Sequence, residues 1–230
     1  MNAADRIEQN LHSVETALCA ACRRAGRNAN EVTLMAVTKY AADTDVLALL
    51  DTGRVRHIGE SRVQQAVARW TSPRFAAYDT VKHFIGHLQR NKAAQAAKLF
   101  DFIDSIDDIR TAQALNEQAL ALNKVLHVMV QIKLTDKDTQ SGVKLAEAPQ
   151  LVRQLQEFKQ LRPCGYMAIA PQTDDPQTLR PLFKEVKTAF ERDFPPALPQ
   201  RYLSLGMSAD FETAVEEGST LPRVGSKLFS

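Results

Sequence analysis

A lysine at the end of an apolar run is the first residue of this 230-residue chain whose position suggests chemistry. Lys39 closes the run Leu34-Met35-Ala36-Val37-Thr38. If that run is a strand of a β/α barrel, its C-terminal end opens at the mouth, where such folds build their sites. A lysine amine in that place can form a Schiff base with an aldehyde once its surroundings lower its pKa. A solvated lysine closing a strand is the other reading. Two later segments have the make-up of an anion cradle: Ser204-Leu205-Gly206-Met207-Ser208, and Gly225-Ser226 directly after Arg223-Val224. Glycine lets the backbone approach an anion, hydroxyls add donors, and a helix starting after Ser208 would add N–H groups. Helix capping, with Ser61 and Ser208 as N-cap residues, would explain the serines equally well. Arg223 lies two residues before Gly225, on the same side of its strand, and meets either a ligand or an acidic neighbour.

Other chemistry-bearing residues point nowhere in particular. Cys19-x-x-Cys22 has metal-site spacing but falls inside a helical pattern with no second pair, and Cys164 is solitary, so packing is the reading. His12, His57, His83, His87 and His127 show no metal-ligand spacing. His57 and His127 fall in strand-like runs and read as satisfied interior histidines. The chain contains no GxxxxGK[ST], no GxGxxG and no GxSxG. The segment Leu88-Gln89-Arg90-Asn91-Lys92 is basic but too short for a nucleic-acid surface.

The elements that would position these residues alternate in type. Apolar runs at 32–38, 55–59, 83–86, 100–106, 127–134, 165–170, 202–206 and 223–229 read as buried strands. Helical patterns occupy 43–52, 61–70, 88–98, 109–122, 146–158, 176–192 and 209–217. A leading helix over 3–25 carries Ile7, Leu11, Val14 and Leu18 on one face, with Gly26 as its stop. Eight near-continuous apolar strands joined by helical crossovers predict a parallel sheet closed as a single (β/α)8 TIM-type barrel spanning 1–230. The leading helix then covers a barrel end or stands in for the eighth helix. A doubly wound open sheet is the alternative.

Composition agrees with a globular domain: 44% hydrophobic and 24% charged residues. With 29 Lys+Arg against 27 Asp+Glu the net charge is +2, which gives no general reason to expect a nucleic-acid or membrane partner. No stretch approaches the roughly 20 apolar residues of a membrane span. The first fifteen residues are polar and acidic, unlike a signal peptide. A soluble, cytoplasmic protein with reduced thiols is expected.

Six segments in order carry a resemblance: Ala36-Val37-Thr38-Lys39; Gly59-Glu60-Ser61-Arg62-Val63-Gln64; His83-Phe84-Ile85-Gly86-His87-Leu88-Gln89-Arg90-Asn91-Lys92; Gly165-Tyr166-Met167-Ala168; Leu203-Ser204-Leu205-Gly206-Met207-Ser208; and Arg223-Val224-Gly225-Ser226. Over nearly its whole length the chain resembles the pyridoxal-phosphate homeostasis proteins. The resemblance implies an alanine-racemase-type barrel holding pyridoxal 5′-phosphate. Lys39 would form the internal aldimine, and Ser208, Gly225 and Ser226 would bind the phosphate. Arg223 would face the pyridine nitrogen and keep it unprotonated, weakening the electron sink. Ser61 and Met207 would complete the cofactor contacts. The family role is to bind, buffer or deliver the vitamin B6 cofactor with little turnover, apo forms of pyridoxal-phosphate enzymes being the prospective recipients. A monomer is expected.

Two residues depart from the family pattern. Ser61 stands where the family usually has asparagine, and His87 where it usually has proline. The first puts a polar contact to the ring in doubt, and the second adds a titratable group at the rim. An amino-acid racemase on the same barrel is the alternative function. Full alanine racemases have a further β domain that supplies a catalytic tyrosine, and this chain ends soon after its eighth strand. A cofactor-free Schiff-base aldolase is the third reading, which Lys39 on the first strand suits poorly.

Overall fold

The protein is described here by a computed structural model covering residues 2–135, 141–173 and 175–230. Eight strands form one sheet: β1 (Met35–Val37), β2 (His57–Glu60), β3 (Val81–Phe84), β4 (Phe102–Ile106), β5 (Leu126–Lys133), β6 (Leu161–Ile169), β7 (Tyr202–Ser204) and β8 (Arg223–Val224). Every pairing is parallel, in the order β7-β6-β5-β4-β3-β2-β1-β8. The two end strands meet outside the ladder. Leu221 N–H donates to Leu203 O at 3.1 Å and Arg223 N–H to Gly206 O at 3.0 Å, which closes the sheet into a barrel. Sequence patterning therefore located all eight strands, and the closed form replaces the open-sheet alternative.

Alternation sorts the side chains. Met35, Phe102, Met129, Cys164, Met167 and Leu221 pack together as an interior cluster. The opposite faces of the strands join the larger core under the helices α2 (Asp43–Asp51), α3 (Val63–Trp70), α5 (Ala93–Leu99), α6 (Ile109–Ala121), α7 (Ala148–Gln156), α8 (Pro176–Asp193) and α9 (Phe211–Glu216). The first helix, α1 (Ala3–Arg24), buries Ile7, Leu11, Val14 and Leu18, the stripe its spacing predicts. It packs beside α2, α9 and α10 (Ser226–Phe229). Arg6 ties it to both sides, with Nη1 on Phe229 O at 2.7 Å and Nη2 on Asp45 at 2.9 Å. It stands in for the eighth outer helix.

Several element boundaries differ from the sequence reading. The run expected as one strand over 223–229 stops at Val224, because Leu228 and Phe229 turn their N–H groups back onto Gly225 O and form α10. The helix expected from residue 88 starts at Ala93, after a 3₁₀ turn at Arg90–Lys92. A short helix, α4 (Pro73–Ala76), was not anticipated; Pro73 opens it, and Phe75 packs edge-on against Trp70 with ring centroids 5.2 Å apart. Between the fifth strand and the helix that follows it, residues 136–140 lie outside the described residues.

One buried network fixes the β1 end. Glu60 is the last residue of β2, and its outward parity places it under α3, where it is 2% exposed. Its Oε1 accepts from Thr38 Oγ1 at 2.7 Å, Arg69 Nη1 at 3.0 Å and Trp70 Nε1 at 3.1 Å. Arg69 also donates to the carbonyls of Thr38 and Ala41 at 2.8 and 2.7 Å and pairs with Asp43 at 2.8 Å. The turn that carries Lys39 is thus held on both flanks by one guanidinium. Removing that guanidinium leaves a buried carboxylate short of its charge partner, so Arg69→Leu should cost about 3–5 kcal/mol. Equilibrium urea unfolding checks this; a loss near that of an exposed pair, below about 1 kcal/mol, would mean that the clamp does not act as described.

Candidate ligand site at the barrel mouth

Thr38 and Lys39 leave β1 at the C-terminal end of the barrel. The Lys39 side chain is half-buried, with Nζ 5.2 Å from the ring centroid of the exposed Tyr40. It borders a cleft of about 380 Å³ shared with Glu60, Gln65 and Arg69. Among the described residues no carboxylate forms an ion pair with its amine.

The neighbouring strand end supplies the other half. β8 is hydrogen-bonded to β1 in register Met35↔Arg223 and Ala36↔Val224, so Gly225 follows beside Val37. A Cβ on Gly225 would lie 3.2 Å from the Val37 carbonyl oxygen, so only glycine sits there without pressing on β1. Ser208, after β7, accepts the Gly225 N–H on its Oγ at 3.1 Å. This joins the two segments singled out from sequence into one loop pair. The Ser208 and Ser226 N–H groups and the Ser226 hydroxyl have no hydrogen-bond partner among the described residues. Asp210, the acid nearest in sequence, is engaged: its Oδ1 takes the Met207 N–H at 2.6 Å. Met207 itself is 40% exposed at the rim.

Capping, the competing explanation for the serines, does not hold. The residue at the start of α3 is Arg62, without a side-chain cap, and Ser61 makes no capping bond. The helix after Ser208 is only the six-residue α9, begun by Asp210. Ser61 is instead pinned by its backbone. Its carbonyl crosses Gly86 so closely that a Cβ there would come within 2.3 Å. It opens a second cleft of about 350 Å³ with Arg62, His87 and Lys92, and Gln65 borders both clefts. His87 is at the rim, as expected, with Nδ1 3.4 Å from Ser141 Oγ and 3.8 Å from Asp107. Burial raises the Asp107 carboxyl above its usual range, against the pull of His87.

Arg223 is more deeply set than a rim residue, at 3% exposure. Its Nη1 donates to Ser204 O and Oγ, both at 2.7 Å, and Nη2 to Ala168 O at 2.8 Å. Burial draws its pKa down to about 10, opposed by Asp104 and Asp210, so it stays charged at neutral pH. The guanidinium lies inside the barrel, one pleat below Gly225.

The interior also holds a polar group that sequence reasoning did not join. His57 Nδ1 is 2.9 Å from His83 Nε2, and His83 Nδ1 is 3.0 Å from the Asp104 carboxylate. His57 is thus satisfied, as expected. His127 is not: it stacks on Phe102 at 4.8 Å, but its buried Nδ1 has no partner among the described residues. Cys19 and Cys22 are free thiols on α1, in keeping with the packing reading. The described residues contain no metal-ligating cluster and no helix long and apolar enough to cross a membrane.

Comparison with known proteins gives this arrangement a lineage. The alanine racemase N-terminal domain family matches residues 14–230. The pyridoxal phosphate homeostasis protein of Escherichia coli K12 is 36% identical over 230 residues, covering 97% of this chain and 95% of that protein. That of Aquifex aeolicus is 31% identical, covering 100% and 98%. The solved structure of PipY from Synechococcus elongatus PCC7942 with PLP bound superimposes with a TM-score of 0.82 at 30% identity, over the whole of both chains. Alanine racemase of Clostridium difficile shares the fold alone, with a TM-score of 0.76 at 15% identity, 97% of this chain matching 56% of the enzyme. The barrel, its mouth loops and these relatives together show that the chain belongs to the pyridoxal phosphate homeostasis protein family.

Proposed function

We propose that this protein binds pyridoxal 5′-phosphate at the barrel mouth through Lys39 and holds it for buffering or delivery, without appreciable turnover. The observation that carries the reading is the adjacency of two chemistries on neighbouring strand ends. The unpaired amine of Lys39 follows β1, and the open N–H groups of Ser208 and Ser226 stand beside β8. A phosphorylated aldehyde needs both, spaced by a small aromatic ring.

When bound, the cofactor supplies an aldehyde that condenses with an amine, with loss of water. The chain's own residues do the rest. Arg69 and Glu60 fix the backbone of the turn bearing Lys39, so that on binding only its side chain remains to be ordered. The Ser208 and Ser226 N–H groups and the Ser226 hydroxyl donate to the phosphate, and Gly225 keeps the approach clear. Arg223 would present a fixed positive charge to the ring nitrogen and disfavour a proton there, weakening the ring as an electron sink. Ser61, after β2, and Met207, after β7, would complete the contacts to the ring. Apo forms of pyridoxal-phosphate enzymes are the proposed recipients, in the cytoplasm, with the protein acting as a monomer.

The tyrosines support the absence of turnover. Racemisation needs a second acid across the ring from the lysine. Tyr78 donates to Asp51 and Tyr166 to Asp193. Tyr202 lies at the interior floor against His57 and Phe102, and Tyr40 is 78% exposed beside Lys39 itself. None of the four faces Lys39 from the opposite side of the mouth.

Three outcomes are expected. Borohydride reduction of the loaded protein followed by peptide mapping should place the pyridoxyl group on Lys39, and a label mainly on Lys133 or Lys227 would unseat it. Gly225→Val should weaken cofactor binding by about tenfold or more, since it obstructs the cradle, whereas Ser226→Ala removes one donor and costs about 0.5–1.5 kcal/mol; absorbance titration compares them, and equal negligible effects would move the phosphate elsewhere. Deuterium washout at Cα of L-amino acids, followed by NMR, should stay far below enzymatic rates, each missing acid/base group typically costing about 10²–10⁴-fold. Rapid Lys39-dependent washout with accumulation of the D-isomer would restore the racemase reading.

A further inference from the structure

The proposed cradle offers a phosphate only neutral donors: the Ser208 and Ser226 N–H groups and the Ser226 hydroxyl. A phosphate monoester carries about 1.5 to 2 negative charges at neutral pH. Hydrogen bonds from a cation hold such a group more strongly than neutral ones do. The acid of the same loop adds to the shortage of positive charge. Asp210 is 8% exposed, its Oδ1 is occupied by the Met207 N–H, and its carboxylate forms no ion pair among the described residues. An anion arriving at Ser208 would meet that carboxylate two residues further along the chain.

The nearby cations are committed elsewhere, with one exception. Lys39 is assigned to the aldehyde. Arg69 holds Glu60, Asp43 and the carbonyls of Thr38 and Ala41. Arg223 has its guanidinium on Ser204 and Ala168, below Gly225. Lys227 is the exception. It follows Ser226 directly, and its N–H lies 3.5 Å from the Ser208 Oγ that also accepts the Gly225 N–H, so its backbone belongs to the cradle. Its ammonium lies 5.0 Å from the ring centroid of Phe211, the residue after Asp210. The side chain thus leans from the β8 loop toward the β7 loop and spans the two segments that would hold the phosphate. Phe211 is buried and gives the amine a fixed resting place, while Lys227 is exposed and in no ion pair among the described residues. A cation resting on a ring at an exposed position is weakly held, and the flexible lysine stem lets it swing from the ring to an anion.

We infer that Lys227 is the cation of the phosphate cradle, and that it makes the site prefer a phosphorylated aldehyde over the same aldehyde without its phosphate. That role rests on the function proposed above and adds a selectivity to it. In the empty cradle the ammonium stays over Phe211. In the filled one it turns to the phosphate and offsets the repulsion from Asp210. No bond is made or broken at Lys227. Its part is electrostatic, so salt should screen it.

The test compares two probes, pyridoxal 5′-phosphate and pyridoxal, which differ in the phosphate alone. Both are titrated by absorbance against the full chain, Lys227→Met and Lys227→Arg. Lys227→Met keeps a long stem and loses the charge. It should bind pyridoxal 5′-phosphate about three- to tenfold more weakly, the size of a partly exposed charged contact, and bind pyridoxal as the parent does. The ratio of the two affinities then falls by the same factor. Lys227→Arg keeps the charge but has no amine for a Schiff base, and should stay within about twofold of the parent for both probes. Added salt should narrow the gap between parent and Lys227→Met for the phosphorylated probe. An affinity ratio in Lys227→Met equal to the parent's overturns the assignment, whether both affinities hold or both fall together. So does a parent that binds the two probes equally, or a loss in Lys227→Arg as large as in Lys227→Met, since the amine and not the charge would then matter. A parent that binds neither probe sinks the proposed function and this role with it. A parent that binds pyridoxal 5′-phosphate, with a ratio unmoved by Lys227→Met, keeps the function and removes this role alone.

Discussion

A two-residue strand is too short to hold a barrel closed through its ladder alone. β8 pairs with β1 through Met35 and Ala36 only, and on its other side no strand ladder meets it. Arg223 completes that side. Its backbone N–H takes the Gly206 carbonyl, and its guanidinium reaches past β7 to the Ala168 carbonyl on β6. A buried guanidinium must find acceptors in several directions at once, since five N–H donors fan out in one plane. Satisfying them draws β6, β7 and β8 together at the interior. Everything at the mouth follows from that closure: Gly225 is delivered against Val37, Ser208 is set over Gly225, and the serine loops come to stand beside the strand that ends in Lys39.

The sequence made the strands legible because burial on both faces leaves near-continuous apolar runs, and it made the mouth residues legible because they follow those runs. What it could not give was parity across strands. Glu60 reads as one more polar residue at a strand end, yet it lies on the outer face beneath α3 and binds Arg69 and Trp70, nine and ten residues on. His57, His83 and Asp104 sit 26 and 21 residues apart. Each looks like an isolated polar residue in an apolar run. Their meeting depends on the stagger of three strands, which periodicity within one strand does not encode. The end of β8 was misplaced for a local reason: 226–229 is apolar enough to pass for strand, and only the return of two N–H groups to Gly225 O marks it as helix.

The two networks divide the work of holding the site. The Glu60–Arg69 clamp lies outside the sheet and holds the turn after β1 by its backbone carbonyls, leaving the Lys39 side chain at the mouth. The Arg223 network lies inside the barrel, where the guanidinium binds Ser204 on β7 and the Ala168 carbonyl on β6. Each answers a different constraint. A turn at a barrel rim has unpaired carbonyls that a buried arginine can satisfy. A buried guanidinium must find hydrogen-bond acceptors, which β6 and β7 supply here.

If the mouth binds the cofactor as proposed, the place of Arg223 bears on how good an electron sink the bound ring would be. An electron sink works when the ring nitrogen gains a proton, and a fixed positive charge beneath the ring opposes that proton at every pH at which the guanidinium remains charged. Arg223 at about 10 is charged throughout the neutral range. A neutral residue there would remove that opposition, and an acid would go further and favour the proton. In this chain that substitution would place a second carboxylate into the interior that already holds Asp104, and like charges in a dry interior cannot both ionise without large cost. On the proposed reading, the residue that would weaken the ring as an electron sink is also one that closes the barrel, through its N–H on Gly206 and its guanidinium on Ala168, so replacing it would disturb both.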